Sequence, residues 1–305
     1  MNNNPYELTV GDFIASIMKD KWLILFLTTA FSIVFLVLAL YLPNKYKSDI
    51  LLMPVTEQES NLAGLSSQLG GLASMAGINL GDQSNKTDLA IATLKSRTFL
   101  MEFIADTDIK VELLAVRKWD VVTGGYTYDE DVYDPNTKQW IRDVSPPKQA
   151  EPSLLEAYVY FVENLLEVEE DKETGFVRVT IKHISSVFAE EMVKKLIQRL
   201  DNKLRQDAEI EAEKSIEYLQ GAILKAKNAD LKSLLYTLVE QEFQKKMLTN
   251  VRETYAFKVI DNAVVAEDKY SPKRALLCIF GFILGVCFSL FIVFIKALKR
   301  PKEQE

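Results

Sequence analysis

The chain has 305 residues and a mass of 34.7 kDa, and its composition is close to the globular average, with 48% hydrophobic and 26% charged residues. This apolar content excludes a chain that is disordered throughout, and the length is that of about two ordinary domains. The net charge of -7 disfavours nucleic-acid binding, because such proteins normally carry a basic surface. The mean hydropathy of +0.01 arises because two very apolar segments offset a polar middle.

The two apolar segments, Trp22–Leu42 and Ala275–Ile295, lie near the two ends of the chain and contain no charged residue. Both are long enough for a membrane-spanning helix, which needs about 20 apolar residues. We therefore predict an α+β membrane protein, in which transmembrane helices at 22–42 and 275–295 flank an α/β domain at 43–274. A cleaved signal peptide is the alternative for the first segment, but no Ala-x-Ala-like cleavage site follows it.

The orientation of the spans follows from the loop between them. Lys and Arg residues occur on both sides of each span, so their count alone is ambiguous. Long loops cross the membrane largely regardless of charge, which gives the short terminal pieces more weight. We place residues 1–21 and 296–305 in the cytoplasm and the domain at 43–274 outside the inner membrane, in the periplasm.

The central domain is predicted to begin and end with strands. Lys45–Pro54 and Tyr255–Ile260 have strand character, and we expect them to pair in one sheet close to the membrane. A helix is predicted from a cap at Thr87 or Asp88 through Ile104. Residues 118–144 form a polar, aromatic-rich stretch punctuated by turns.

The second half of the domain has clearer periodicities. A short helix is predicted from Pro152 to about Asn164, followed by strands at 165–168 and 175–183 around a turn. From Ser186 the apolar residues recur every three or four positions, which predicts a helix of about ten turns. After a break at 228–230 a second long helix runs to about 253, and such lengths suit a protruding hairpin or a subunit interface. Charged residues on the first long helix, Arg205 among them, are assigned to its solvated face.

An apolar stripe interleaved with glycine lies between 61 and 81. Its spacings of three and four favour a helix, while each interior glycine costs roughly 1 kcal/mol relative to alanine. A loop that covers the core and an interaction surface remain equally open interpretations. The stripe consists of Leu62, Leu65, Leu69, Leu72, Met75 and Ile78.

The sequence contains no motif for a catalytic, cofactor or metal site. The single histidine, His183, ends a predicted strand and is interpreted as a structural surface residue, since triads and metal clusters need more than an isolated histidine. The acidic pair Glu169-Glu170 is assigned to a solvated turn. Both cysteines, Cys278 and Cys287, lie in the second span, about 13 Å apart along one helix, and cannot form a disulfide with each other. We predict that the protein is not an enzyme and binds no cofactor.

The second span contains Gly281 and Gly285 with the spacing that lets two membrane helices approach closely. Simple tolerance of glycine in membrane helices is the alternative. We favour transmembrane packing or self-association through this face, with Pro272 just before the span.

The chain as a whole resembles the Wzz-type polysaccharide co-polymerases, the chain-length determinants of bacterial surface polysaccharides. The resemblance runs from about Tyr6 to Arg300, and the order of its motifs is more specific than any one of them. The matching segments are Gly11-Asp-Phe-Ile-Ala-Ser and Lys21-Trp22, Pro43-x2-Tyr46-x-Ser48 to Pro54, Leu94-Lys-Ser-Arg97, Val177 to Leu200, Phe257-Lys-Val-Ile-Asp261, Ser271-Pro-Lys-Arg274 and Gly281-x3-Gly285.

The resemblance implies a homo-oligomeric ring in the bacterial inner membrane that acts as a non-catalytic scaffold. It would work with a Wzy-type polymerase on a growing lipid-linked polysaccharide and regulate the chain length of lipopolysaccharide O-antigen or a related exopolysaccharide. The apolar stripe is then a hypothetical polymerase- or lumen-facing element.

The chain departs from the family in two respects. Asn262, Ala266 and Lys269 stand where the family has more prolines before the second span. Few residues follow that span, which points to the kinase-free branch. Three alternatives remain: an export adaptor that partners a separate tyrosine kinase, a two-span periplasmic sensor, and a membrane-anchored enzyme.

Overall fold

The computed structural model describes residues 17–55 and 83–299, which fall into two compact units. Tyr46–Glu267 belong to the larger unit, and the flanking residues belong to the smaller one. The helices are α1 (Lys21–Tyr41), α2 (Gln83–Lys95), α3 (Arg97–Thr107), α4 (Lys110–Leu114), α5 (Leu154–Asn164), α6 (Ser186–Lys225), α7 (Ala229–Val251) and α8 (Arg274–Lys299). The strands are β1 (Tyr46–Pro54), β2 (Val116–Trp119), β3 (Tyr126–Tyr128), β4 (Tyr133–Asp134), β5 (Gln139–Trp140), β6 (Leu166–Glu170), β7 (Val177–His183) and β8 (Phe257–Asp261).

The smaller unit contains the two apolar helices α1 and α8, which pack against each other. Both are long and apolar enough to cross a membrane, judged by length and composition. Aromatic side chains contribute to this packing, and the ring centroids of Phe31 and Phe288 are 5.4 Å apart. At one end Lys296 Nζ lies 2.7 Å from Asp20 Oδ1. The predicted arrangement of two apolar spans around an α/β body is confirmed.

The larger unit is built on an antiparallel sheet with the strand order β6-β7-β1-β8. The predicted pairing of the first and last strands is confirmed, since Pro54 of β1 lies opposite Phe257 of β8. Strand β7 buries Val177, Val179 and Ile181 completely, as its alternating sequence predicts. Side chains from α2, α3, α5 and the first half of α6 complete the core over this sheet.

The predicted helix from 87 to 104 is wrong in detail, because the chain forms two helices that meet at Ser96. Ser96 has an extended backbone and its Oγ accepts a hydrogen bond from the Phe99 amide, so it caps α3. The periodicity of Leu94, Phe99 and Phe103 continues across the junction because both helices contribute to one core. Apolar spacing alone therefore conceals the break.

The polar, aromatic-rich stretch predicted at 118–144 contains two hairpins that the sequence did not indicate, β2–β3 and β4–β5. These hairpins and β6–β7 share a turn that begins with aspartate and has threonine three residues later. In each case the aspartate accepts the backbone N–H two residues on, as Asp120 does from Val122 at 2.9 Å. The fifth residue of each turn has a positive φ, which glycine adopts at 124 and 175 and Lys138 at 56°.

Candidate interaction surfaces

His183 is buried, so its assignment to the surface is wrong. Its Nδ1 accepts a hydrogen bond from the Ser185 amide at 3.1 Å, and its Nε2 lies 3.0 Å from the Glu112 carbonyl oxygen. The ring also packs against Phe188 in a tilted arrangement, with centroids 4.2 Å apart. These contacts join the end of β7 to α4 and to the start of α6. The sequence did not indicate them, because α4 has only five residues and its periodicity is too short to detect.

Glu112 contributes a partly buried carboxylate beside this histidine. Its Oε2 is buried and has no hydrogen-bond partner among the described residues. Burial is the main cause that raises the pKa of Glu112, and Asp108 adds to it. Burial also raises the pKa of Tyr126 and of Tyr128 on the neighbouring hairpin. This corner therefore favours uncharged side chains.

The two small hairpins pack on each other through aromatic rings. Tyr133 lies 5.5 Å from Tyr128 and 5.3 Å from Trp140 between ring centroids, and Trp119 contacts Tyr46 of β1 at 5.6 Å. Such tilted and edge-on pairs stabilise small elements that have little other core. The aromatic-rich segment thus has a structural use close to the sheet.

The long helices α6 and α7 form a hairpin, and the predicted break between them is confirmed. Asn228 caps α7 by accepting a hydrogen bond from the Asp230 amide. Helix α6 buries residues as far along as Ile223, whereas in α7, all of which is described, only Thr249 is buried. Exposed apolar side chains cover α7: Leu231, Leu234, Tyr236, Phe243, Met247, Leu248 and Val251.

Arg205 fastens the base of this hairpin, so its assignment to a solvated face is wrong. Its guanidinium donates hydrogen bonds to the carbonyl oxygens of Thr249 at 2.6 Å and Arg252 at 2.8 Å, where α7 ends. One helical turn earlier, Asp201 Oδ2 lies 3.0 Å from Arg205 Nη2. Asp201 Oδ1 accepts the Tyr255 amide at 2.6 Å. We call Asp201 and Arg205 the hairpin bracket.

Glu169 and Glu170 lie in β6, so their predicted assignment to a turn is wrong. Glu169 pairs in register with Arg178, and Glu170 pairs with Val177. The strand is longer than predicted because its pairing with β7 continues to the turn at Asp171. Among the described residues, no group of three or more His, Cys, Asp or Glu side chains could hold a metal ion.

The predicted glycine face lies along α1 in the structure. A Cβ at Gly281 would come within 2.5 Å of the Phe35 side chain, and one at Gly285 within 3.1 Å of the Thr28 Cα. These glycines therefore allow the two apolar helices of one chain to approach closely. Pro272 is buried at the start of this segment. A role for the three residues in self-association stays a prediction, and the stripe from Leu62 to Ile78 lies outside the described residues.

Comparisons with known proteins give two family matches. Residues 6–107 match the family model described as Wzz, chain length determinant protein. Residues 219–298 match the model described as GNVR, G-rich domain on putative tyrosine kinase. No curated protein matches the chain.

Two solved structures are weakly similar. A full-length bacterial polysaccharide co-polymerase aligns with a TM-score of 0.43 and 12% identity, over 97% of this chain and 100% of its own. A fragment of WzzB, the polysaccharide co-polymerase from Salmonella Typhimurium, aligns with a TM-score of 0.33 and 12% identity, over 75% of this chain and 100% of its own.

The two family matches cover the first apolar helix with the start of the domain, and the end of the long hairpin with the second apolar helix. The chain thus carries a Wzz chain length determinant domain and a GNVR domain, and its predicted resemblance to the chain-length determinants is confirmed.

Proposed function

We propose that this protein is a polysaccharide co-polymerase that sets the chain length of a bacterial surface polysaccharide as a non-catalytic scaffold. The match of residues 6–107 to the chain length determinant model is the observation that carries the proposal. The two apolar helices around an α/β body agree with a membrane anchor at each end of the domain. In this proposal both termini are cytoplasmic and the domain at 43–274 is periplasmic, in the inner membrane.

The scaffold acts as a homo-oligomer, and α7 supplies part of the contact between subunits. The exposed apolar side chains of α7 support this, because apolar area left exposed on a folded chain is a feature of interaction sites. Replacing Leu231 and Leu234 by Asp is expected to lower the mass of the purified, detergent-solubilised chain in light scattering. The control replaces Ser233 and Gln244, two exposed polar residues of α7, by Asp and so adds the same two charges. An unchanged mass in the double variant removes α7 from the subunit contact.

The partners in this proposal are a Wzy-type polymerase and the growing lipid-linked polysaccharide, such as an O-antigen precursor. The stripe from Leu62 to Ile78 is the hypothetical surface for them. Replacing Leu69 and Leu72 by Asp is expected to change the modal polysaccharide length. Unchanged length at a normal protein level excludes this role for the stripe.

A second candidate is an export adaptor that works with a tyrosine kinase on a separate chain. The match of residues 219–298 to a domain described from a putative tyrosine kinase favours it. Gene deletion followed by gel electrophoresis of the surface polysaccharide separates the two functions. Loss of a preferred length supports chain-length control, loss of all polysaccharide supports the adaptor, and an unchanged pattern contradicts both.

A further inference from the structure

A polar cleft of about 440 Å³ lies between α3 and the first half of α6. Three side-chain amides on α6, Gln198, Asn202 and Gln206, line it at intervals of four residues. Residues four apart lie on one side of a helix, separated by a rise of about 6 Å. The three amides therefore form a row along the cleft that turns gradually around the helix, and we call it the amide row.

The amide row is free to bind a ligand. All three residues are exposed, and none of their amides forms a hydrogen bond with the described part of the chain. Each amide offers two donors on its nitrogen and an acceptor on its oxygen. The row thus presents both kinds of hydrogen-bonding group at a regular spacing.

Each of the three cations that line the cleft, Lys195, Arg199 and Lys203, already has a carboxylate partner. Lys195 Nζ lies 2.7 Å from Glu191 Oε1, and Lys203 Nζ lies 2.6 Å from Asp207 Oδ1. Arg199 contacts Asp106 and also lies 3.5 Å from Glu102 Oε2. Because each cation has a carboxylate partner, the cleft carries little net charge for an ionic ligand.

The ligand that fits these groups is uncharged and rich in hydroxyl groups. A hydroxyl both donates and accepts hydrogen bonds, as a side-chain amide does, and a saccharide repeats its hydroxyls along its length. A row of equally spaced amides matches such a repeating ligand better than it matches a compact one. The neutralised cations disfavour an acidic saccharide.

We propose that the amide row of Gln198, Asn202 and Gln206, in the cleft between α3 and α6, binds a neutral segment of a polysaccharide. This inference rests on the proposed function and deepens it, since it assigns a glycan-contacting site to the domain. The site lies on the first half of α6, where the buried side chains of Leu196 and Leu200 hold the opposite side of the helix against the sheet. Its geometry is therefore set before the ligand arrives.

The test measures binding to the full chain in detergent micelles by titration calorimetry. The probe is the polysaccharide released by mild acid from the surface of the bacterium that carries the gene. Replacing Gln198, Asn202 and Gln206 together by Ala is expected to weaken binding by about tenfold or more, because several modest hydrogen bonds are lost at once. The control replaces Gln220 and Gln244, exposed amides elsewhere on the hairpin, and should bind like the parent.

The single isosteric variant Asn202→Asp guards against misfolding in the triple variant and is expected to bind more weakly than the parent. Equal binding by the parent and the triple variant overturns the proposal, as does an absence of binding by the parent. A steep loss of parent binding with added salt overturns the neutral class of ligand. Gene deletion tests the proposed function separately, because loss of the preferred polysaccharide length does not depend on where a glycan binds.

Discussion

The two helices of the long hairpin differ in what surrounds them. The first half of α6 packs on β1 and β7, and its apolar residues are buried by the chain itself. Helix α7 packs mainly against α6. Its apolar residues remain about half exposed, and Leu234, for example, is 46% exposed. The same apolar spacing of three and four residues thus produces a core helix in α6 and an exposed apolar surface in α7.

This difference matters because apolar surface left outside a folded chain favours contact with another molecule. In α6 a side chain such as Leu196 has no exposed area, so its contribution is to folding. In α7 the corresponding contribution is available for assembly. The following predictions test how sharply the two helices divide these roles.

The largest effect is expected for Leu196→Ala in α6. Removing this fully buried side chain leaves a cavity and should lower the free energy of unfolding by about 2–5 kcal/mol. Leu234→Ala in α7 makes the same chemical change at a half-exposed position and should shift it by about 0.5 kcal/mol. Denaturant unfolding of the solubilised chain, followed by circular dichroism, measures both. Equal losses would contradict the contrast between the helices.

The hairpin bracket is expected to rank second. Arg205→Ala removes charge-assisted hydrogen bonds to the end of α7 and should cost about 1.5–3 kcal/mol. Hydrogen exchange at residues 249–256 should accelerate, while exchange in β7 stays unchanged. Arg205→Lys keeps the charge but not the planar fork, and we expect it to restore only part of the protection. Unchanged exchange in the alanine variant would show that α7 is held by α6 packing alone.

A smaller, pH-dependent effect is expected at Glu112 in the body. Because burial raises its pKa in the folded state, its protonated form is favoured there. Its contribution to stability is therefore complete below the pKa of the unfolded state and is lost as the pH rises through the folded-state pKa. Glu112→Gln should remove this slope and gain stability over the parent as the pH approaches neutrality.

Thermal unfolding of the parent and of Glu112→Gln at a series of pH values measures the difference in their stability. The exposed Glu130→Gln serves as the matched control. If the glutamine variant lost stability at neutral pH, the carboxylate would have to be favourably paired rather than penalised by burial. Hydrogen-exchange rates in α7 should be the same in the parent and in Glu112→Gln, because Glu112 lies near the start of α6 and not beside α7.

The smallest effect is expected at the ion pair between α6 and α7. Lys246 Nζ lies 2.6 Å from Glu213 Oε1, and this hydrogen bond raises the pKa of the lysine. The pair is exposed to solvent, so Lys246→Met should leave the melting temperature nearly unchanged. Added salt should have as little effect on the parent. A clear loss of melting temperature would mean that the pair helps to hold α7 in place.

The sequence predicts the regular parts of this fold well and the local exceptions poorly. The alternation of Val177, Val179 and Ile181 and the long periodicity after Ser186 each extend over enough residues to identify an element. The break at Ser96 does not interrupt the apolar spacing, and α4 is shorter than two helical turns, so neither was detectable. Burial of His183 depends on α4, which lies far from it in sequence.

The surfaces are harder still to predict, because exposure depends on which element lies opposite. Arg205 lies on α6 like its charged neighbours, and only the end of α7 places the carbonyl groups of residues 249, 252 and 253 around it. Likewise, the spacing of Gly281 and Gly285 indicates close packing but not the partner, which within this chain is the helix containing Thr28 and Phe35.

The hairpin bracket also determines which substitutions the hairpin of α6 and α7 tolerates. Asp201 and Arg205 bind main-chain atoms of residues 249–256, so substitution of the exposed side chains there, such as Asn250 and Glu253, leaves these contacts in place. Proline is the exception at 255 and 256, where it lacks the N–H that Asp201 accepts. Substitutions can therefore change the outer surface of the hairpin while the contacts that hold the end of α7 stay the same.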